Sequence, residues 1–397
     1  MKKLSNFVSS IAESATLASA KRAKDLTAAG RDIIDLTLGQ PDFVTPEPID
    51  AAAIASIKTG KASFYTQAGG LPELKKAAAA YWERFYGYEP KASEILVTSG
   101  AKFALYAYFL SVLDPGDEVI IPAPYWVSYF DQVKMAEGIP VTVETRLEDH
   151  FKITVEQLQE VKSDKTKVLL INSPSNPTGM VYSKEELLAI GQWAIDNDVL
   201  ILSDDIYHRL VYGKSEFVAI SSLSDELRAR TMVINGVSKT FSMTGWRIGL
   251  AVGDAEIISA MTKIASQTTS NPTAVSQYAS IEAFSDSTDS YVETMRSEFE
   301  KRLETIMPAL ENVPGFEVVK PDGAFYLFPK VAEAMRMTGY DSIDDFSSAI
   351  LEEAGVAIVS GTGFGSGDHI RMSYATDLDS LMTGVKRLKE WIEKRSI

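Results

Sequence analysis

This sequence predicts an α/β fold: a mainly parallel sheet with helices on both faces, joined to a smaller α/β domain. Short apolar runs alternate with helical stretches through the middle of the chain, and the pattern changes after about Phe284. The length, 397 residues, is also more than a single hydrophobic core usually serves.

The elements follow in order. Ile95-Leu96-Val97-Thr98 is a short strand that ends at Ser99-Gly100, and Ala101 to Leu113 continues as a helix. Asp114-Pro115-Gly116-Asp117 is a turn, after which Glu118-Val119-Ile120-Ile121 begins the next strand. Lys167 to Asn172, Val199 to Ser203 and Thr231 to Asn235 are further strands. Ser183 is placed as a helix N-cap, with Glu186 completing a capping box for a helix over Lys184 to Asn197. Beyond Phe284 comes a long charged helix, Tyr291 to Leu310, with strand candidates at Phe316–Val319, Gly323–Phe328, Ala357–Val359 and His369–Tyr374. The division expected is residues 1–45 as an N-terminal arm and part of the small domain, 46–284 as the large domain and 285–397 as the small one. In such sheets the functional loops gather at the carboxyl ends of the strands.

Composition narrows the chemistry. There is no cysteine, so thiol nucleophiles and thiolate metal sites are excluded, and the three histidines (His150, His208, His369) do not pair at helical spacing. No metal is expected, and acid–base work falls to lysine, carboxylates or tyrosine. Lys and Arg number 39 against 54 for Asp and Glu, a formal charge of −15. That balance argues against nucleic acid and against an anionic membrane surface. The start, Met1-Lys2-Lys3-Leu4 and then polar residues with Glu13, lacks the apolar core of a secretory signal. A cytoplasmic protein is the expectation.

Four polar segments follow strand ends. Ser99-Gly100-Ala101-Lys102 opens a helix, where unpaired N–H groups can receive a phosphate, although helix starts of this kind are common. Asn172-Ser173-Pro174-Ser175-Asn176-Pro177-Thr178-Gly179 could be a rigid loop and nothing more. Ser203-Asp204-Asp205-Ile206-Tyr207 places carboxylates at the end of an apolar strand, where most simply cap the next element. Ser238-Lys239-Thr240-Phe241-Ser242-Met243-Thr244-Gly245-Trp246-Arg247 carries a lysine that could be an ordinary surface residue. A glycine-rich stretch, Gly361 to Gly367, has the look of a dinucleotide loop, but the segment after it reads as a strand where a helix is required.

Taken together and in this order, NSPSNPTG, SDDIY and SKTFSMTGWRIG resemble the motifs of fold type I enzymes that depend on pyridoxal 5′-phosphate (PLP). LTLGQPDF, YTQAGGLPEL, DPGDEVIIPAPYWVSY, GAFYLFP and HIRMSYA extend the resemblance over nearly the whole chain, to the class I aminotransferases and most closely to bacterial aspartate aminotransferases. The resemblance implies a large domain with a mainly parallel, seven-stranded sheet and a homodimer with shared active sites. It implies that Lys239 bonds the cofactor and moves a proton, that Asp204 pairs with the pyridine nitrogen, and that Tyr207 and Asn176 hold the phenolic oxygen. Trp126 would lie against the ring. Gly100, Ala101 and Arg247 would hold the phosphate, and Tyr65 would reach the phosphate of the neighbouring subunit. Arg371 would grip the substrate α-carboxylate, assisted by Asn176 and the Gly39 amide, with the Gly361–Gly367 loop positioning it.

Lys102 occupies the place that, in the resembling enzymes, helps to select a distal carboxylate, with Ser14 and Thr16 as further candidates. Ala12 and Glu13 stand where members that accept prephenate tend to carry a basic residue, which counts against prephenate. Amino transfer between L-aspartate, or another acidic amino acid, and 2-oxoglutarate is the leading expectation. An alanine or aromatic aminotransferase, a carbon–sulfur lyase on the same scaffold, and a PLP-binding regulator without turnover are the alternatives.

Overall fold

The computed structural model describes residues 3–9, 11 and 15–396. Its centre is a seven-stranded sheet in the order Ile95–Thr98, Gly249–Val252, Thr231–Gly236, Leu200–Asp204, Thr166–Asn172, Glu118–Ala123, Ile139–Glu144. Only Gly249–Val252 runs antiparallel to its neighbours; the other pairings are parallel. The inner strands are apolar on both faces because both faces are covered; the edge strand Ile139–Glu144 is largely exposed. Val119, Ile121, Val168, Leu170 and Leu202 pack with helix residues Leu105, Phe109, Val133 and Met261 on one side. Their alternates Ile120, Leu169, Ile171 and Ile201 pack with Leu187, Ile190 and Trp193 on the other. This two-residue alternation is the pleat of the strand read out as burial.

The helix Lys184–Asp196 begins as the capping box requires: Ser183 accepts from the Glu186 amide and the Glu186 carboxylate accepts from the Ser183 amide. The long helix Asp289–Glu311 aims Phe299, Leu303, Ile306 and Leu310 into a second core with Phe325, Phe346, Tyr374 and Leu388. Tyr207, Leu210 and Tyr212, which follow the sheet strand Leu200–Asp204, join that same core. Ile34–Asp35 pairs in parallel with Val356–Ala357, so the early chain is built into the C-terminal part.

Three strand expectations need correction. Phe316–Val319 forms only an isolated bridge, Glu317 to Lys330. Gly323–Phe328 contracts to Tyr326–Leu327, because Ala324 takes a left-handed conformation (φ 57°) and Gly323 is pressed against the Leu210 carbonyl, 2.6 Å from where a Cβ would stand. Ala357–Val359 is split: Val356–Ala357 pairs with Ile34–Asp35, whereas Val359–Ser360 pairs with Ile370–Arg371. Among the described residues no helix is long and apolar enough to cross a membrane.

Candidate active site

The loops that follow the parallel strands converge on one cavity of about 490 Å³ between the sheet and the C-terminal core. Gly39, Ala101, Lys102, Trp126, Asn176, Asp204, Tyr207, Lys239, Arg247 and Arg371 all line it. Gly100 caps the helix behind Arg247, and Tyr65 stays outside, 92% exposed. Thr16 lines the cavity, whereas Ser14, Ala12 and Glu13 lie outside the described residues.

At the base, Asp204 ends its strand with 4% exposure. Burial pushes its carboxyl up to about 6, opposed by hydrogen bonds from Tyr129 and the Ile206 amide and by the charge of Lys239. Tyr129 donates to Asp204 Oδ2 at 2.7 Å, and Asn172 Nδ2 donates to the Asp204 carbonyl at 2.8 Å. Oδ2 is thus held by Tyr129 and Oδ1 by the longer bond from the Ile206 amide at 3.3 Å, and the residue lines the cavity.

Lys239 Nζ donates to the Gly39 carbonyl. Desolvation first, then the charges of Arg371 and Arg247, bring its amine down to about 7, with Asp204 opposing. A lysine in this state is a nucleophile near neutral pH, which an exposed lysine is not.

The two arginines meet no anion among the described residues. Arg247 stands beside the start of the helix Ala101–Val112 and donates Nη1 to the Thr244 carbonyl at 2.9 Å. At Gly100 (φ 88°) an added Cβ would lie 2.4 Å from Arg247 Nη2, so the glycine is what lets the guanidinium close on the helix N-terminus. The Gly100 N–H donates to the Thr98 carbonyl at 2.8 Å, so it is the Ala101 and Lys102 N–H groups of the first helical turn, with the fixed cation beside them, that make a site for a phosphate. Arg371, 2% exposed, donates to Asn176 Oδ1 at 3.1 Å and to the Thr37 carbonyl at 2.8 Å, while its Nε has no hydrogen-bond partner among the described residues. Its guanidinium carbon lies 4.5 Å from the Tyr326 ring centroid and 5.1 Å from that of Phe364. A buried cation with neutral partners and a spare donor is arranged for a carboxylate that comes from outside the chain.

The glycine-rich segment forms a short 3₁₀ turn, Gly361–Phe364, that places Phe364 against Arg371 and donates no nucleotide-type helix start. Lys102 Nζ lies 4.8 Å over the Trp126 ring at the edge of the cavity, its amine lowered by desolvation and then by Arg247.

Sequence reasoning missed Tyr129, Tyr326 and Thr37. Tyr129 and Tyr326 stand inside quoted motifs, PYWVSY and GAFYLFP, but a tyrosine there reads equally as core; their hydroxyl partners lie 75 and 119 residues away. Thr37 acts through its main-chain carbonyl, which no residue type encodes.

A family model described as aminotransferase class I and II matches residues 31–388. The chain is 58% identical to an asparagine–oxo-acid transaminase of Streptococcus mutans, over 99% of this chain and 100% of that protein. It is 52% identical to an aspartate aminotransferase of Geobacillus stearothermophilus, again over 99% and 100%. Among solved structures, the aspartate aminotransferase of Thermus thermophilus with maleate superposes with a TM-score of 0.93 at 38% identity, covering 98% of this chain and 100% of that one.

Proposed function

This chain belongs to the class I and II aminotransferases, with the fold type I architecture, and we propose that it moves an amino group between L-aspartate and 2-oxoglutarate using PLP. The observation that carries this reading is the cavity that brings together a lysine of lowered pKa, a buried carboxylate and two arginines that meet no anion among the described residues. The residues fit the cofactor. Arg247 and the helix start at Gly100–Ala101, with the Ala101 amide as donor, suit its phosphate, Asp204 its ring nitrogen, Tyr207 and Asn176 its phenolic oxygen, and Trp126 its face.

When bound, PLP supplies a carbonyl for the substrate amine and a ring that takes up the charge developed at the α-carbon. The protein's own groups do the rest. Lys239, whose amine pKa is brought down to about 7, would hold the cofactor and would carry a proton to and from the substrate α-carbon. Asp204, held by Tyr129, would pair with the ring nitrogen and favour its protonated form. Arg371 fixes the α-carboxylate, which sets the α C–H direction relative to Lys239.

Lys102 supports a substrate with a distal acidic group. The 58% identical relative gives a second reading, with L-asparagine as donor, because an ammonium can bond an amide oxygen as well as a carboxylate. Mixing the PLP-loaded protein with L-aspartate, L-asparagine, L-alanine, L-phenylalanine or L-cystathionine and following its visible band separates these. Fastest loss of the band with aspartate supports the leading reading; faster loss with asparagine replaces it. Lys102→Ala is expected to lower kcat/KM for aspartate about 10–100-fold more than for alanine, the worth of one charge-assisted bond. An equal fall for both substrates moves Lys102 to a cofactor role.

The homodimer belongs to the same reading. Val44, Ile54, Ile57, Phe64 and Tyr65 are exposed apolar residues, 50–92% accessible, more than scattered surface hydrophobics require. Sedimentation is expected to give twice the 43.4 kDa chain mass, and a monomer at assay concentration overturns this part. The acidic composition fits a cytoplasmic enzyme.

A further inference from the structure

The segment from Phe64 to Leu71 carries two of the exposed apolar residues, and a single side chain from a distant helix ties it down at two points. Gln277, on the helix Ala274–Ala283, is wholly buried. Its Oε1 accepts from the Leu71 N–H at 2.8 Å, and its Nε2 donates to Thr66 Oγ1 and to the Pro272 carbonyl, each at 2.8 Å. The partners fix the orientation of the amide, because the Leu71 N–H can only face its oxygen and the Pro272 carbonyl only its nitrogen. Leu71 opens the helix Pro72–Tyr86 and has no side-chain acceptor of its own, so Gln277 also satisfies a buried donor there.

The base of the segment has other anchors. The Gly69 carbonyl accepts from the Val97 N–H at 3.1 Å, and Gly70 (φ 100°) lies so close to the strand Ile95–Thr98 that an added Cβ would stand 2.3 Å from Val97 Cγ2. The tip does not share them. Among the described residues, the Gln277–Thr66 bond is the one hydrogen bond that ties Tyr65–Gln67 to another part of the chain; the Thr66 hydroxyl otherwise meets only the adjacent Gln67 carbonyl, at 3.4 Å. Tyr65, 92% exposed, is the immediate neighbour of that anchored threonine.

We propose that Gln277 is a positioning residue that, through the Thr66 hydroxyl, aims Tyr65 at the phosphate bound in the partner subunit. The inference rests on the homodimer reading given above, with active sites shared between subunits. A side chain as exposed as Tyr65 finds no wall in its own chain to set its direction, so its aim is set by the backbone that carries it. A bond from its hydroxyl to a phosphate oxygen depends steeply on distance and angle. Holding Thr66 narrows the shapes the tip can take before the cofactor binds, which lowers the ordering cost of making that bond.

Thr66→Val removes the acceptor and keeps the branched shape, while Gln277 retains its bonds to Leu71 and Pro272. The quantity to measure is the dissociation constant of PLP from the loaded protein, by equilibrium dialysis with the visible band as signal. Tyr65→Phe is expected to raise it about 10- to 100-fold, the loss of one bond to a charged group. Thr66→Val is expected to raise it about 3- to 10-fold with Tyr65 present, and by less than about 2-fold in the Tyr65→Phe background. Thr66→Ser, which keeps the hydroxyl, is expected to stay within about 2-fold of the wild type. Equal factors in the two backgrounds would show that the bond stiffens the fold without aiming Tyr65, and they overturn the proposal. An unchanged constant in Thr66→Val does the same, as does a Thr66→Ser protein as weak as Thr66→Val. A Thr66→Val protein that sediments as a monomer also overturns it, since the bond would then be holding the interface. If Tyr65→Phe binds PLP as tightly as the wild type, the shared-site reading is lost and the proposal with it; a weakened Tyr65→Phe beside an unaltered Thr66→Val removes the proposal alone.

Discussion

Lys239→Ala is expected to cut kcat by more than about 10⁴-fold, because one side chain both holds the cofactor carbon and carries the proton. The surroundings leave no substitute. Of the other two lysines that line the cavity, Lys102 lies over Trp126 and Lys24 stands exposed on the helix Ala15–Ala28, and the remaining cations there are arginines, which cannot give up a proton at neutral pH. The pH dependence has a defined sign. The neutral amine is the reactive form, and desolvation with the charges of Arg371 and Arg247 brings its pKa from 10.5 to about 7. Coupling of PLP to the cofactor-free protein should therefore quicken as pH rises through about 7 and level off above it. A rate that keeps climbing to pH 10 would show an ordinary lysine. Measured by stopped-flow absorbance, the variant should give no band characteristic of a lysine-bound cofactor, and turnover at even a hundredth of the wild-type rate would remove Lys239 from its role.

How much of this was legible beforehand depends on whether a feature is local in the chain. The strands at Ile95–Thr98, Thr166–Asn172 and Thr231–Gly236 announce themselves as bounded apolar runs, and the capping box at Ser183 and Glu186 needs only four residues. Ile139–Glu144 was hidden: it is an edge strand, with Ile139, Thr142 and Glu144 exposed and Pro140 and Val141 half-buried, and so it lacks the continuous apolar run of its neighbours. The small strands failed for a different reason. Gly323 and Ala324 look like strand residues, yet tertiary contact with Leu210 and Pro174 bends the backbone there. In the site, Lys239, Asp204, Arg247 and Arg371 are legible because each stands in a recognisable motif. Their energetic partners are not, since the Tyr129–Asp204 and Tyr326–Tyr207 bonds join segments that only the fold brings together. The depressed amine of Lys239 likewise comes from burial and from arginines 8 and 132 positions further along, and spacing does not reveal it.

Arg371→Ala should weaken every amino acid substrate, in contrast to the selective effect expected at Lys102. An α-carboxylate is common to aspartate, alanine and asparagine, so kcat/KM for all three should fall together, by about 2–5 kcal/mol or roughly 30- to 4,000-fold. Folding should suffer less than such a buried residue would ordinarily imply. No carboxylate of the chain pairs with Arg371 among the described residues, so its removal strands no buried opposite charge, and it relieves the protein of an uncompensated one. Against this, the Thr37 carbonyl and Asn176 Oδ1 each lose a donor, and a gap opens between Tyr326 and Phe364. These terms oppose one another, so the variant should melt within a few degrees of the wild type while its activity collapses. Arg371→Lys separates charge from shape. A lysine keeps the positive charge but has no planar fork to hold Thr37, Asn176 and a carboxylate at once, so it should recover only part of the loss. A fall confined to aspartate would place Arg371 at the distal end of the substrate and Lys102 at the α-carboxylate. The two variants assayed side by side on aspartate and alanine therefore fix the direction in which the substrate lies across the cavity.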